Sequence, residues 1–134
     1  MTAIDEHCIQ EVIELHAFFQ AWLAGEVLQS DTVFARFTSA TAPEFTLISP
    51  DGKVAGFTDT ARWIRNAYGT RPAVLLWTDD HVVRYADEHV VLITYREHQT
   101  RDGATTMRIS SALFRHADAA PHGLAWLHVH ETWV

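Results

Sequence analysis

The second half of the chain constrains the fold most. From residue 74 to 133 no stretch carries apolar residues at helical spacing. Four long segments, roughly 74–85, 89–100, 105–116 and 124–133, have the alternation and apolar content of β-strands instead. Ala86-Asp87-Glu88 and Asp102-Gly103 leave only a few residues between the first three. Parallel neighbours need a crossover of a dozen residues or more, so these strands form an antiparallel meander. The last link, 117–123 with Pro121, is looser.

Asp-Gly is the favoured two-residue hairpin loop, and such a loop fixes cross-strand register. Counting outward from Asp102-Gly103, Glu97 faces Arg108, Tyr95 faces Ser110, Ile93 faces Ala112 and Val91 faces Phe114. The opposite face then pairs His98 with Met107, Arg96 with Ile109, Thr94 with Ser111 and Leu92 with Leu113. The Ala86-Asp87-Glu88 turn allows two registers, one setting Asp79 opposite Arg96 and the other beside Tyr95.

The first half is helical apart from one hairpin. Cys8, Ile9, Val12, Ile13, Leu15, His16, Phe19, Trp22 and Leu23 recur at helical spacing over about 4–24, with Glu11 and Glu14 opposite and Gly25 as the stop. A second helix is expected over about 31–39, capped by Asp31. Residues 45–49 and 54–57 flank the turn Pro50-Asp51-Gly52-Lys53 and read as a hairpin. A third helix is expected over about 59–68, with Thr58 as its cap and Trp63, Ile64 and Ala67 on its apolar stripe. Helices in front of a long antiparallel sheet mean α+β. Strands this long must twist and curl. A curled sheet wrapped around N-terminal helices makes a cone with a pocket at its open end.

With 134 residues, 1–134 is expected to be a single domain with a real core. The formal net charge of −7 opposes binding to nucleic-acid phosphates or anionic membranes, and no basic run overrides it. The start of the chain shows no basic region followed by an apolar signal core, and no window is apolar enough to span a bilayer. A soluble cytoplasmic protein is the expectation. The single cysteine, Cys8, lies in the apolar helical pattern and is expected to be a buried, inert thiol.

Candidate functional residues fall in two groups. In the last strand, simple alternation places Trp126, His128, His130 and Thr132 on one face and Leu127, Val129, Glu131 and Trp133 on the other. His128 and His130 are then candidate acid–base groups, since imidazole titrates near neutral pH. The alternative is a pair of core histidines, each satisfied by a hydrogen bond. The His-x-His spacing is also similar to the cupin metal motif, but Glu131 would face the other way, so no metal and no cofactor are expected. The second group is Tyr95, Glu97, Arg108 and Ser110, a polar wall in which the arginine would hold a carbonyl or anionic oxygen. Glu97 is a candidate base, although a neighbouring arginine lowers a carboxylate's pKa. The alternative is an ordinary cross-strand ion pair, worth at most about 1 kcal/mol. His16, in the apolar arc of the first helix, is either a core residue or points into the cone. Trp63 and Trp126 are either core or pocket aromatics.

The Ser49-Pro50-Asp51-Gly52 turn, the Arg108-Ile109-Ser110-Ser111 strand and the Trp126-to-Thr132 strand, in this element order, resemble the nuclear transport factor 2-like superfamily. This cystatin-like α+β barrel group includes the SnoaL-like polyketide cyclases and the ketosteroid isomerases. The resemblance covers nearly the whole chain and implies a cone-shaped fold. Its members are enzymes, carriers and oligomerisation hubs, so it does not by itself imply one activity. Ketosteroid isomerases carry a tyrosine on the first helix, where this chain has His16 and Phe19.

Three functions follow as expectations. The first is a pocket for a small apolar or mixed-polarity ligand, lined by His16, Trp63, Tyr95, Glu97, Arg108, Ser110, Trp126, His128 and His130. The second is a cofactor-independent isomerase, cyclase or hydrolase using His128, His130 or Glu97. The third is an oligomerisation module. Leu75 and Trp77 alternate with Val74 and Leu76, so the strands are apolar on both faces. Helices cover only one face, and a homodimer through the outer sheet face is expected to cover the other.

Overall fold

The computed structural model describes all residues, 1–134. Three helices, α1 (Ala3–Ala24), α2 (Asp31–Thr38) and α3 (Phe57–Asn66), accompany six strands: β1 (Thr41–Ile48), β2 (Val54–Gly56), β3 (Leu75–Ala86), β4 (Val90–Arg101), β5 (Ala104–His116) and β6 (Leu124–Trp133). The sheet order is β2-β1-β6-β5-β4-β3. This is the α+β cone: a curved sheet wrapped around N-terminal helices. No helix is long and apolar enough to cross a membrane.

Local signals explain most element ends. Thr2 caps α1 by accepting from the Asp5 N–H at 3.2 Å, and Asp5 accepts from the Thr2 N–H at 3.3 Å, a reciprocal capping box. Gly25 ends α1 in the left-handed conformation, φ 73°. Two expected caps are corrected. Ser30, not Asp31, caps α2 through its Oγ to the Val33 N–H. α3 starts at Phe57 after Gly56 with no side-chain cap, so Thr58 lies inside its first turn.

The Asp102-Gly103 turn has φ 53° and 80°, the left-handed pair that a tight hairpin of this kind requires. Every β4–β5 pairing counted from it is present, including Glu97 with Arg108 and Tyr95 with Ser110. At the β3–β4 turn, the Asp87 carboxylate accepts from the His89 and Val90 N–H groups at 2.7 and 2.9 Å. Those backbone hydrogen bonds hold its pKa down at about 2. Of the two possible registers, β3 adopts the one that sets Asp79 opposite Arg96. β3 then bulges at Asp80, which takes φ 53°.

The sheet is antiparallel except at one seam, where β1 runs parallel to β6 with Thr46 beside His128 and Ile48 beside His130. This non-local pairing joins the β1–β2 hairpin to the β3–β6 meander in one sheet. The core lies between the helices and the concave face of β3–β6, where Trp22, Phe34, Ile93, Phe114 and Leu124 are fully buried. The Trp22 indole donates to the Ile64 carbonyl at 2.8 Å, tying α1 to α3. Glu11 is fully buried as well. Arg36 of α2 grips it with both guanidinium nitrogens, at 2.8 and 3.1 Å, and the Trp126 indole donates to it at 2.8 Å. One carboxylate thus joins α1, α2 and β6.

Candidate functional site

The concave face and the helices leave a cavity of about 640 Å³. Its floor is apolar, formed by residues such as Leu15, Phe19, Phe37, Phe45 and Val129. The exposed lining residues Asp51, Trp63, Arg101, Thr106 and Trp133 mark its mouth.

A charged cluster stands against that floor. The His16 Nε2 lies 3.0 Å from a Glu97 oxygen, and its Nδ1 lies 2.8 Å from the Val12 carbonyl oxygen. Both ring nitrogens face acceptor oxygens, an arrangement that favours the doubly protonated imidazolium. Arg108 sits between two carboxylates, with Nε 3.5 Å from Glu97 and a terminal nitrogen 3.2 Å from Glu131. The Arg108 guanidinium also lies over the Trp133 ring, 4.7 Å from its centroid.

Environment drives the two glutamates apart. Burial pushes the Glu97 carboxyl up, but the hydrogen bond and charge of His16, with the charge of Arg108, leave it below the ordinary value. Burial and then the Glu97 charge raise Glu131 to about 7, against the pull of Arg108 and His16. Burial also lowers the His16 pKa, yet Glu97, the Val12 carbonyl and Glu131 outweigh it and the net shift is upward. The Tyr95 hydroxyl is held well above its usual range, first by burial and then by the Glu97 and Glu131 charges. Glu97 therefore stays a carboxylate held in ion pairs, while Glu131 is a cavity group able to exchange a proton near neutral pH.

Sequence reasoning placed part of this cluster. His16, Trp63, Tyr95, Glu97, Arg108 and Trp126 all line the cavity. Ser110 is fully buried behind the wall and does not line it. His128 and His130 are corrected outright. β6 bulges at Leu127: Leu113 pairs with His128, but the next residue, Phe114, pairs with Trp126. One extra residue flips the face of everything that follows it. Trp126 therefore shares the concave face with Val129, Glu131 and Trp133. His128 instead bonds Thr46 Oγ1 at 2.6 Å, and His130 is exposed; neither lines the cavity. Glu131, assigned by alternation to the face away from the candidate wall, is the residue that reasoning missed. Alternation carries no mark of a bulge, so no local signal pointed to it. Arg71 and Arg101 also line the cavity and were not singled out. No group of three or more His, Cys, Asp or Glu side chains is arranged to hold a metal ion.

Comparison with known proteins places this architecture. The family described as sucrose-6-phosphate phosphohydrolase C-terminal matches residues 8–134. The chain belongs to this family. Among curated relatives, sucrose-phosphatase 1 of Nicotiana tabacum is 25% identical over 131 residues, covering 92% of this chain and 30% of that protein. Probable sucrose-phosphatase 3a of Arabidopsis thaliana is 21% identical over 126 residues, covering 92% and 29%. The chain thus spans less than a third of the length of the curated family relatives it matches. Among solved structures, an NTF-2 like protein of unknown function from Pseudomonas aeruginosa superposes with a TM-score of 0.83 at 22% identity, over 99% of both chains. The association domain of C. elegans CaMKII superposes with a TM-score of 0.64 at 14% identity, over 98% of this chain and 99% of that one. These likenesses show that this family member has the nuclear transport factor 2-like fold that its sequence resembles.

Proposed function

We propose that residues 1–134 act as one domain whose cone binds a small ligand of mixed polarity. The observation that carries this reading is the cavity itself: about 640 Å³, apolar at its floor, with the His16–Glu97–Arg108–Glu131 cluster set into one wall. Ligand sites have this character, a largely apolar concavity with a few fixed polar groups. A domain built only for packing would fill such a space, since interiors are close-packed. Glu131, raised to about 7, is the candidate for any acid–base turnover in the cavity, beside His16; Glu97 is held ionised, and His128 and His130 are on the other face. The sucrose-phosphatase name belongs to much longer relatives, and the cavity rather than that name supports this reading.

The test is a fluorescence titration with the neutral apolar probe N-phenyl-1-naphthylamine. Saturable binding near one probe per chain, lost when Val129→Trp, or Leu47→Trp at a second lining residue, fills the cavity in a folded protein, supports the pocket. Non-saturable binding that both variants share contradicts it.

A second reading, self-association through the outer sheet face, is favoured by a specific observation. Leu75, Trp77, Val82, Tyr85 and Ile109 are all exposed large apolar side chains on β3 and β5. Trp77 stacks flat on His98, with centroids 5.0 Å apart. A patch of this kind on a monomer invites a partner, and an isologous two-fold contact with a second copy is the simplest occupant. The likeness to a CaMKII association domain agrees with that reading. The two readings are compatible, since the cavity is lined by the concave face of the sheet.

A further inference from the structure

The cavity holds three arginines, and they are not equally satisfied. Arg108 has two carboxylates within 3.5 Å. Arg101 has only Asp102, at 3.9 Å and almost fully exposed, where solvent screens the attraction. Arg71 is half-buried and its guanidinium pairs with no carboxylate; the side chain lies beside the Trp63 ring, 5.9 Å from its centroid. The acidic residues that line the cavity are Asp51, Glu97 and Glu131. Asp51 accepts from the Trp133 indole at 3.4 Å, and the two glutamates are committed to His16 and Arg108. None of the three lies in ion-pair range of Arg71.

The backbone holds Arg71 in place. Its N–H donates to the Leu23 carbonyl at 2.9 Å, and the Gly69 N–H donates to the Trp22 carbonyl at 3.1 Å. This stitches the loop after α3 to the end of α1. The stitch needs a close approach at Gly25, where an added Cβ would stand 3.2 Å from the Gly69 Cα. A partly desolvated guanidinium without an anion is costly. Arg71 shows that cost: burial, and then the charges of Arg101 and Arg108, lower its pKa. A planar fork on an anchored backbone, at the mouth of an apolar cavity, suits an oxyanion carried on an apolar body.

We propose that Arg71, assisted by Arg101, forms an oxyanion subsite at the cavity mouth that takes the carboxylate or phosphate group of a ligand whose apolar body occupies the cone. This rests on the cavity being a ligand pocket. Trp63 gives the ligand a flat apolar surface beside the arginine. Arg108 stays engaged with its own glutamates and is not the primary anion contact.

Three probes with one naphthalene body separate the claims: 1-naphthyl phosphate, 1-naphthoate and the neutral 1-naphthol, each titrated by calorimetry. A charge-assisted contact with an arginine predicts that at least one anion binds about tenfold or more tighter than 1-naphthol. That advantage should fall by about tenfold in Arg71→Gln, and by less in Arg101→Gln, while 1-naphthol affinity stays unchanged. Whichever anion binds tighter identifies the group, phosphate or carboxylate. Equal affinity for all three probes, or an anion advantage that survives both substitutions, overturns the subsite and leaves the pocket standing. No saturable binding of any probe, 1-naphthol included, overturns the pocket and the subsite with it.

Discussion

Replacing Glu131 by glutamine should make the protein less sensitive to rising pH. Glutamine keeps the shape and still accepts from Arg108, but it cannot ionise. In the folded protein Glu131 titrates at about 7, against 4.5 for an unperturbed glutamate, and only 10% of its side chain is exposed. The folded-state value is the higher one. Between those two values the native state keeps a proton that the unfolded chain has released. Unfolding therefore releases that proton, and stability falls as pH rises through this window. At about 1.4 kcal/mol per pKa unit, the full cost is about 3 kcal/mol, complete by about pH 8. His16 is also raised, so its contribution is present below its unfolded value and is lost as pH climbs. That loss has the same sign in both proteins and is smaller in the variant, which lacks the Glu131 charge that helps raise His16. Glu97 is lowered, so its contribution is lost only in acid, below the window. The assay is urea unfolding of wild type and Glu131→Gln at about pH 5, 6, 7 and 8. The stability difference, variant minus wild type, should rise toward about 3 kcal/mol in favour of the variant across the series. A difference that stays level, or one that moves toward the wild type at high pH, would refute the claim that burial and Glu97 destabilise the Glu131 carboxylate.

Other consequences follow from named contacts. Arg36→Ala leaves the fully buried Glu11 side chain with the Trp126 indole as its remaining donor, and should cost about 3 kcal/mol or more in denaturant unfolding. Gly25→Ala combines a left-handed φ of 73° with a tight contact at Gly69; it should cost about 1–2 kcal/mol and weaken binding of an anionic probe, because the loop carrying Arg71 is displaced. Cys8 is fully buried, and burial with nearby Glu11 and Asp5 pushes its thiol up to about 12. It should react with an aromatic disulfide reagent only after unfolding. Trp77→Glu together with Ile109→Glu should convert any dimer to monomer in sedimentation velocity without altering cavity binding; a dimer that survives them does not use the outer face.

How far the sequence could be read depended on whether each constraint was local. Asp102-Gly103 set the whole β4–β5 register, because a two-residue loop leaves the chain no slack. That register alone brought Tyr95, Glu97 and Arg108 onto one wall. Helical spacing put His16 in the apolar arc of α1 but left open whether it was core or faced the cone, and it lines the cavity. β6 failed for a physical reason. A bulge adds one residue without changing residue types, and the single extra residue at Leu127 exchanged His128 and His130 for Val129 and Glu131 on the concave face. The parallel β1–β6 seam joins residues about 80 positions apart, and no short-range pattern encodes such a pairing. Arg71 sits in a loop whose position depends on contacts with α1 rather than on its own sequence.

The central claim is that the cone is an open ligand pocket. The most direct test is a crystal structure of protein purified straight from expression, inspected inside the cone. The account predicts an open cavity of the size described, with density from a bound molecule lying along the apolar floor and reaching Trp63 and Arg71 at the mouth. A cone collapsed onto its own side chains, with Trp63 and Trp133 folded inward and no space above Val129, would contradict it.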